Sequence, residues 1–281
     1  MNRTLIFSAL FLFGILFFVK AQDTQTMLIN RINTLLSEGN CEGAQRLYDD
    51  MKYVTGKTNS SVESRIRSCR GGSTTVRTGT GTGTKRNGAV YNPDGIQLVY
   101  VEGSGTIKDF YIGKFEVTQA QWQKIMGNNP SHFKGTTLPV ESVSWNDVKE
   151  FLGRLNSVSG RNYRLPTSAE WEFAARGGTA EKFCPGGCEY SGSNNINNVA
   201  WYEDNSGGRT QPVGTKLANE LGIHDMSGNV LEWCEDAIGT LRVIRGGCWQ
   251  CDASWCLVAY NNYTGLNLRN ILLGFRLVLS L

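Results

Sequence analysis

The sequence predicts an α+β domain rich in loops, preceded by a small helical module. Three observations carry that expectation. Between 23 and 70 apolar residues recur at helical spacing. Between 96 and 175 short apolar strands alternate with stripes that each begin on a capping signature. Beyond 180 Gly, Asn and Ser dominate, with aromatic residues scattered among them. Two or three helices set into a loop-rich antiparallel sheet make an α+β arrangement. So many loops need something besides core burial to fix them.

Residues 1–22 have the layout of a cleavable secretory signal: Arg3 in a basic opening, the apolar run LIFSALFLFGILFFV at 5–19, then Ala21. The run is shorter than the roughly 20 residues of a spanning helix. Export is therefore expected, to an extracellular, cell-surface or periplasmic place, with no membrane span after cleavage. The chain carries 28 basic and 25 acidic residues. Loss of Arg3 and Lys20 with the leader leaves about +1. Such a near-neutral surface offers nucleic acid or anionic lipid no electrostatic attraction. The eight cysteines suit an oxidising compartment, with connectivity left open by spacing alone.

Residues 23–70 form the helical module. Met27, Leu28, Ile32, Leu35 and Leu36 make one stripe, and Ala44, Leu47, Tyr48 and Met51 a second, with Gly39-Asn40 between them. Ser60 and Glu63 have capping-box spacing before a third, Val62, Ile66 and Cys69. LLSEGNCEGAQRLYDD resembles one tetratricopeptide hairpin, too little for a solenoid. A Cys41–Cys69 bond would compensate for the thin core. Residues 71–89, GGSTTVRTGTGTGTKRNGA, read as a flexible linker. Their GTGTGTK lacks phosphate-loop spacing.

The domain at 90–281 opens with strands at 96–102 and 107–117. Thr118/Gln121, Ser144/Asp147 and Thr167/Glu170 cap three helices, the last stopped at Gly177. Cys184 and Cys188 bracket a tight PGG reversal and suit a local disulfide. The only histidines, His132 and His224, are far apart, so no facial iron triad or nucleophile triad is written here.

In order, FYIGKFEVTQAQWQKIMG, LPVESVSWNDVKEFLGRLN, YRLPTSAEWEFAARGG, PVGTKLANELGIHDMSGNVLEWC, RVIRGGCW and GFRLVLSL resemble the formylglycine-generating enzyme (sulfatase-modifying factor) family over about 96–281. The resemblance implies a loop-rich C-type-lectin-like fold. It also implies a calcium loop at Asp225, Gly228, Val230 and Glu232, whose hard oxygen donors suit that ion. In the family's copper-dependent members two cysteines at C-x4-C spacing hold Cu(I), and Cys251 and Cys256 match them. Copper oxidation of a substrate cysteine to formylglycine is thus the alternative function.

The sequence departs from that pattern. The family's GGS serine is Cys248, an aromatic is Leu231, and LVAYNN at 257–262 has none of the family's arginines. A reactive thiolate needs a cation or metal beside it. The primary reading is therefore a non-catalytic module that binds a protein or carbohydrate through about 249–272. Its contact residues are Gln250, Trp255, Leu257, Tyr260, Asn262 and Tyr263, a mixture of rigid aromatics and adaptable polar groups. This stretch also resembles the variable segment of target proteins of diversity-generating retroelements. Leftover asparagines stand among Tyr260, Tyr263, Thr264, Leu266, Leu268, Ile271 and Leu272, with no period of 2 or 3.6. Gln250 and Trp255 do not arise from asparagine codons by adenine change alone.

Overall fold

The computed structural model describes residues 58–69, 87–180, 183–184 and 186–281, with isolated positions between 29 and 48. The leader, Cys41 and linker residues 71–86 lie outside the described residues. The chain divides into two compact units, Met1–Gly81 and Thr82–Leu281.

In the first unit Ile32, Ala44 and Tyr48 are buried together with Val62 and Ile66 of helix α1 (Ser60–Cys69). The cap lies one residue before the expected Ser60. The Asn59 carbonyl oxygen Oδ1 accepts from the Val62 amide at 3.1 Å, and the Asn59 amide donates to the Tyr48 hydroxyl at 2.7 Å. An asparagine is as good a cap as serine, and here tyrosine anchors its backbone. Cys69 is disulfide-bonded.

The second unit begins with strands β1 (Val90–Tyr91), β2 (Leu98–Val101) and β3 (Phe110–Gly113). Helices α2 (Gln119–Met126) and α3 (Trp145–Ser159) follow, then β4 (Tyr163–Arg164), α4 (Ser168–Ala175) and the single turn α5 (Ile196–Val199). The chain ends in β5 (Leu231–Ile238), β6 (Leu241–Arg245), β7 (Asn261–Gly265), β8 (Leu273–Gly274) and β9 (Val278–Ser280). All three expected capping boxes form, with both reciprocal bonds in each. Left-handed Gly127 and Gly160 close α2 and α3. Helix α4 stops at Arg176, one residue before Gly177.

One sheet has the order β1-β2-β3-β9-β4, so the last strand pairs with the third. The other has the order β7-β6-β5-β8, with β8 parallel to β5. Trp122 stacks on Phe151 at 5.2 Å between centroids, and Phe275 meets both edge-on. Trp171 and Trp233 are fully buried. Among the described residues no helix is long and apolar enough to cross a membrane.

Candidate functional site

The stretch DMSGN (225–229) turns tightly: Asp225, Gly228 and Asn229 all have left-handed backbone. Gly228 is required, because a Cβ there would lie 2.3 Å from the Trp201 carbonyl oxygen. The turn buries polar side chains instead of exposing them. Asn229 donates to Glu116 Oε2 at 2.7 Å, and the Val230 amide donates to Glu116 Oε1 at 3.1 Å. Asp225 Oδ2 accepts from the Gly214 amide at 2.6 Å, while its Oδ1 is buried without a hydrogen-bond partner.

Glu232, expected to be a calcium ligand, is engaged on both oxygens. Arg276 donates through Nε to Oε2 and through Nη2 to Oε1, each at 2.6 Å, and the Trp171 indole donates to Oε2 at 2.7 Å. Arg276 also donates to the carbonyls of Gly113 and His224. The guanidinium therefore meets Glu232 where a cation would, and Glu232, with both oxygens engaged, does not fit a calcium cage in this arrangement. Burial pushes the Asp225 carboxyl up to about 6 and Glu116 well above its usual range, the latter helped by the charges of Asp225 and Glu232. Burial takes His224 down to about 4. Glu116 and Arg276 were not singled out from sequence. The visible signal was one acid and one arginine, each inside an apolar run (KFEV and GFRLVL).

Spacing leaves the pairing of Cys234, Cys248, Cys251 and Cys256 open, and the structure pairs two of them. Cys248 bonds Cys251, and Cys184 bonds Cys188 as expected. Cys256 and Cys234 are free and buried. The Cys251–Cys256 dithiol needed for copper is thus absent, because the cysteine replacing the family's serine captures Cys251 from three residues away. Burial pushes the Cys256 thiol up to about 12, against a modest opposing hydrogen bond from the Cys248 backbone. A Cβ at Gly247 would lie 2.6 Å from Cys256 Sγ, so only glycine admits that sulfur.

Around these residues the C-terminal segment folds into a face. Gln250 and Tyr263 are exposed; Trp255, Leu257, Tyr260 and Asn262 are half-buried. Trp255 and Tyr260 lie with centroids 5.1 Å apart. Leu257 packs toward Tyr190, Val199 and Tyr202, so it is partly core. Trp249 is core, its indole donating to the Ile271 carbonyl at 3.1 Å.

The scaffold holds this segment by its backbone. Arg245, buried against Trp171 and paired with Glu172 at 2.8 Å, donates to the carbonyls of Val258 at 3.2 Å and Tyr260 at 3.1 Å. Ser227 donates to the Cys256 carbonyl and Ser206 to that of Trp249. Backbone amides of Ser142, Trp145 and Leu231 reach the carbonyls of Asn270, Leu266 and Leu272. At the sheet edge the Tyr263 amide is capped by its neighbour Asn262, and the Gly265 carbonyl accepts from Leu268. Both bonds blunt strand-to-strand addition.

Residues 50–281 match the sulfatase-modifying factor enzyme 1-like domain. The chaperone protein LppX of Paenibacillus barcinonensis is 37% identical over 218 residues, 57% of this chain and 76% of that protein. The formylglycine-generating enzyme of Thermomonospora curvata is 32% identical over 170 residues, 50% of this chain; the match spans only 54% of that enzyme. Among solved structures, variable protein 1 of Treponema denticola superposes with a TM-score of 0.60 at 28% identity, covering 68% of this chain and 98% of that one. The fold is the expected loop-rich, C-type-lectin-like one.

Proposed function

This chain belongs to the sulfatase-modifying factor enzyme 1-like family, and we propose that it is an exported, non-catalytic member that holds a protein or carbohydrate ligand on about residues 249–272. One observation carries the reading. The segment is fixed through its carbonyl groups by Arg245, Ser227, Ser206 and backbone amides. Those bonds do not read side-chain identity, so the outward side chains are free to be chosen for contact. Exposed Tyr263 and the Trp255–Tyr260 pair supply rigid apolar area, and the asparagines supply adaptable hydrogen bonds. The chemistry of the cysteines supports the same side: the oxidase alternative needs thiols at 251 and 256, and Cys251 is spent on Cys248.

The test uses the full chain and its Trp255→Ala/Tyr260→Ala/Tyr263→Ala variant on a glycan array and a panel of extracellular proteins. A ligand bound by the first and lost by the second, at unchanged melting temperature, is the expected result. Turnover of a cysteine peptide by the copper-loaded wild-type chain overturns the reading.

A further inference from the structure

Helix α3 joins two different places. Its first turn buttresses the C-terminal face, with Asp147 pairing Arg269 and Asn146 donating to Asn267. Its last turns, about 16 Å along the axis, wall a cavity of about 340 Å³ that no step of the preceding argument uses. The size lies in the range of small-molecule pockets, about 300–1,000 Å³.

The lining is divided by chemistry. Ile96, Phe151 and Leu155 are buried, Ile125 is half-buried, and Val158 stands 75% exposed beside the opening. An apolar side chain that open is where an apolar guest gains contact without displacing a protein neighbour. Phe151 is rigid, being stacked on Trp122. Asp94 and Gly95 also line the cavity, and both have left-handed backbone. The Asp94 carboxylate is already paired with a cation: its Oδ2 accepts from Arg161 at 3.1 Å and from the Tyr163 hydroxyl at 2.9 Å. Two other polar groups line the cavity with capacity to spare. Gln121 uses its carbonyl oxygen on the Thr118 amide, which leaves its NH₂. Among the described residues Lys124 makes no ion pair or hydrogen bond. Both spare groups are donors, and one carries positive charge.

We infer that this cavity binds a small amphiphilic acid, its hydrocarbon part on Ile96, Ile125, Phe151, Leu155 and Val158 and its carboxylate on Lys124 and the Gln121 amide. An acceptor anion satisfies both donors at once, whereas a cation meets Lys124 and an Asp94 carboxylate whose charge Arg161 already offsets.

The full chain, methyl-labelled, would be titrated with sodium decanoate, decylamine and sodium butyrate. Decanoate is expected to shift the methyls of Ile96, Ile125, Leu155 and Val158, with decylamine weaker and butyrate weakest. Lys124→Glu changes an exposed side chain and leaves the fold intact; it is expected to weaken decanoate about threefold to fivefold and to favour decylamine. Val158→Trp, also at an exposed position, is expected to abolish both by filling the opening. Decanoate that leaves those methyls unmoved in the wild-type chain, or decylamine that binds as tightly as decanoate, would overturn the inference.

Discussion

Arg276 and Glu232 form a two-pronged ion pair with neither side chain exposed to solvent, at 2.6 Å on both prongs. It ties β5 to the chain's last segment and, through the Gly113 and His224 carbonyls, to β3 and the turn before Asp225. Removing one partner strands a buried charge, which costs about 3–5 kcal/mol. Glu232→Gln and Arg276→Met are each expected to lower stability by that amount in denaturant titration. A Glu232→Met/Arg276→Leu double replacement should recover much of the loss. The same pair governs the calcium expectation: melting temperature should be equal in excess chelator and in millimolar calcium. A rise with calcium would mean that Glu232 leaves Arg276 for the ion.

Asp225 gives stability a pH dependence of definite sign. Its carboxyl is at about 6 in the fold through burial, against an ordinary 3.8, so the folded chain binds that proton more tightly. Its contribution is present below pH 4 and is lost as pH rises through about 6. His224 opposes it: burial lowers it to about 4, so its contribution is lost as pH falls from about 6.5 toward 4. The two slopes cancel in part, while Glu116, also raised well above its usual range by burial, adds a slope of Asp225's sign. Asp225→Asn removes one of them. Relative to wild type the variant should gain roughly 2 kcal/mol between pH 4 and pH 8. Parallel profiles for the two proteins would contradict the buried, uncompensated carboxylate.

Thiol chemistry separates the cysteines. Cys234 and Cys256 are both buried with thiols held neutral, the first by burial and by the charge of Glu232. Alkylation of the native chain should spare both, and unfolding should expose both without reductant. Unreduced peptide mapping should show the Cys248–Cys251 bond. Tight anaerobic Cu(I) binding before reduction, at one ion per chain, would contradict this assignment.

What was legible in the sequence follows from the range of each interaction. Capping boxes are local, since donor and acceptor are three residues apart, and all three of the domain formed where the spacing put them. Strand 107–117 shrank to Phe110–Gly113, because its second half turns toward the Thr118 cap and lends Glu116 to the polar core. The Arg276–Glu232 pair spans 44 residues and Glu116–Val230 spans 114, and no local pattern encodes either. The Cys248–Cys251 bond is not legible for a related reason: spacing does not fix connectivity, and the resemblance draws Cys251 and Cys256 together only as copper ligands.

The backbone grip on the C-terminal segment makes a last prediction about tolerance. If Arg245 and Ser227 hold the carbonyls of Val258, Tyr260 and Cys256, then removing them should loosen the face whatever its outward side chains are. Arg245→Ala removes the donor to the Val258 and Tyr260 carbonyls and the pair with partly exposed Glu172, which keeps Arg176, and is expected to cost about 2–3 kcal/mol. Replacing Gln250, Asn261 and Tyr263, which are outward-facing, should each change stability by about 0.5 kcal/mol or less. Leu257 should be less tolerant, since it packs on Tyr190 and Tyr202. A saturation library over 250–272, sorted for folded display, would measure this position by position. Uniform intolerance would mean that side chains, not carbonyls, fix the segment. Tolerance confined to outward positions matches a surface open to diversification, and the surrounding DNA then decides its source. A near-copy of the codons for 245–276, differing mainly at adenines and beside a reverse transcriptase gene, is the expected finding. Close relatives that carry the same residues without such a copy would show that this face is fixed for one ligand.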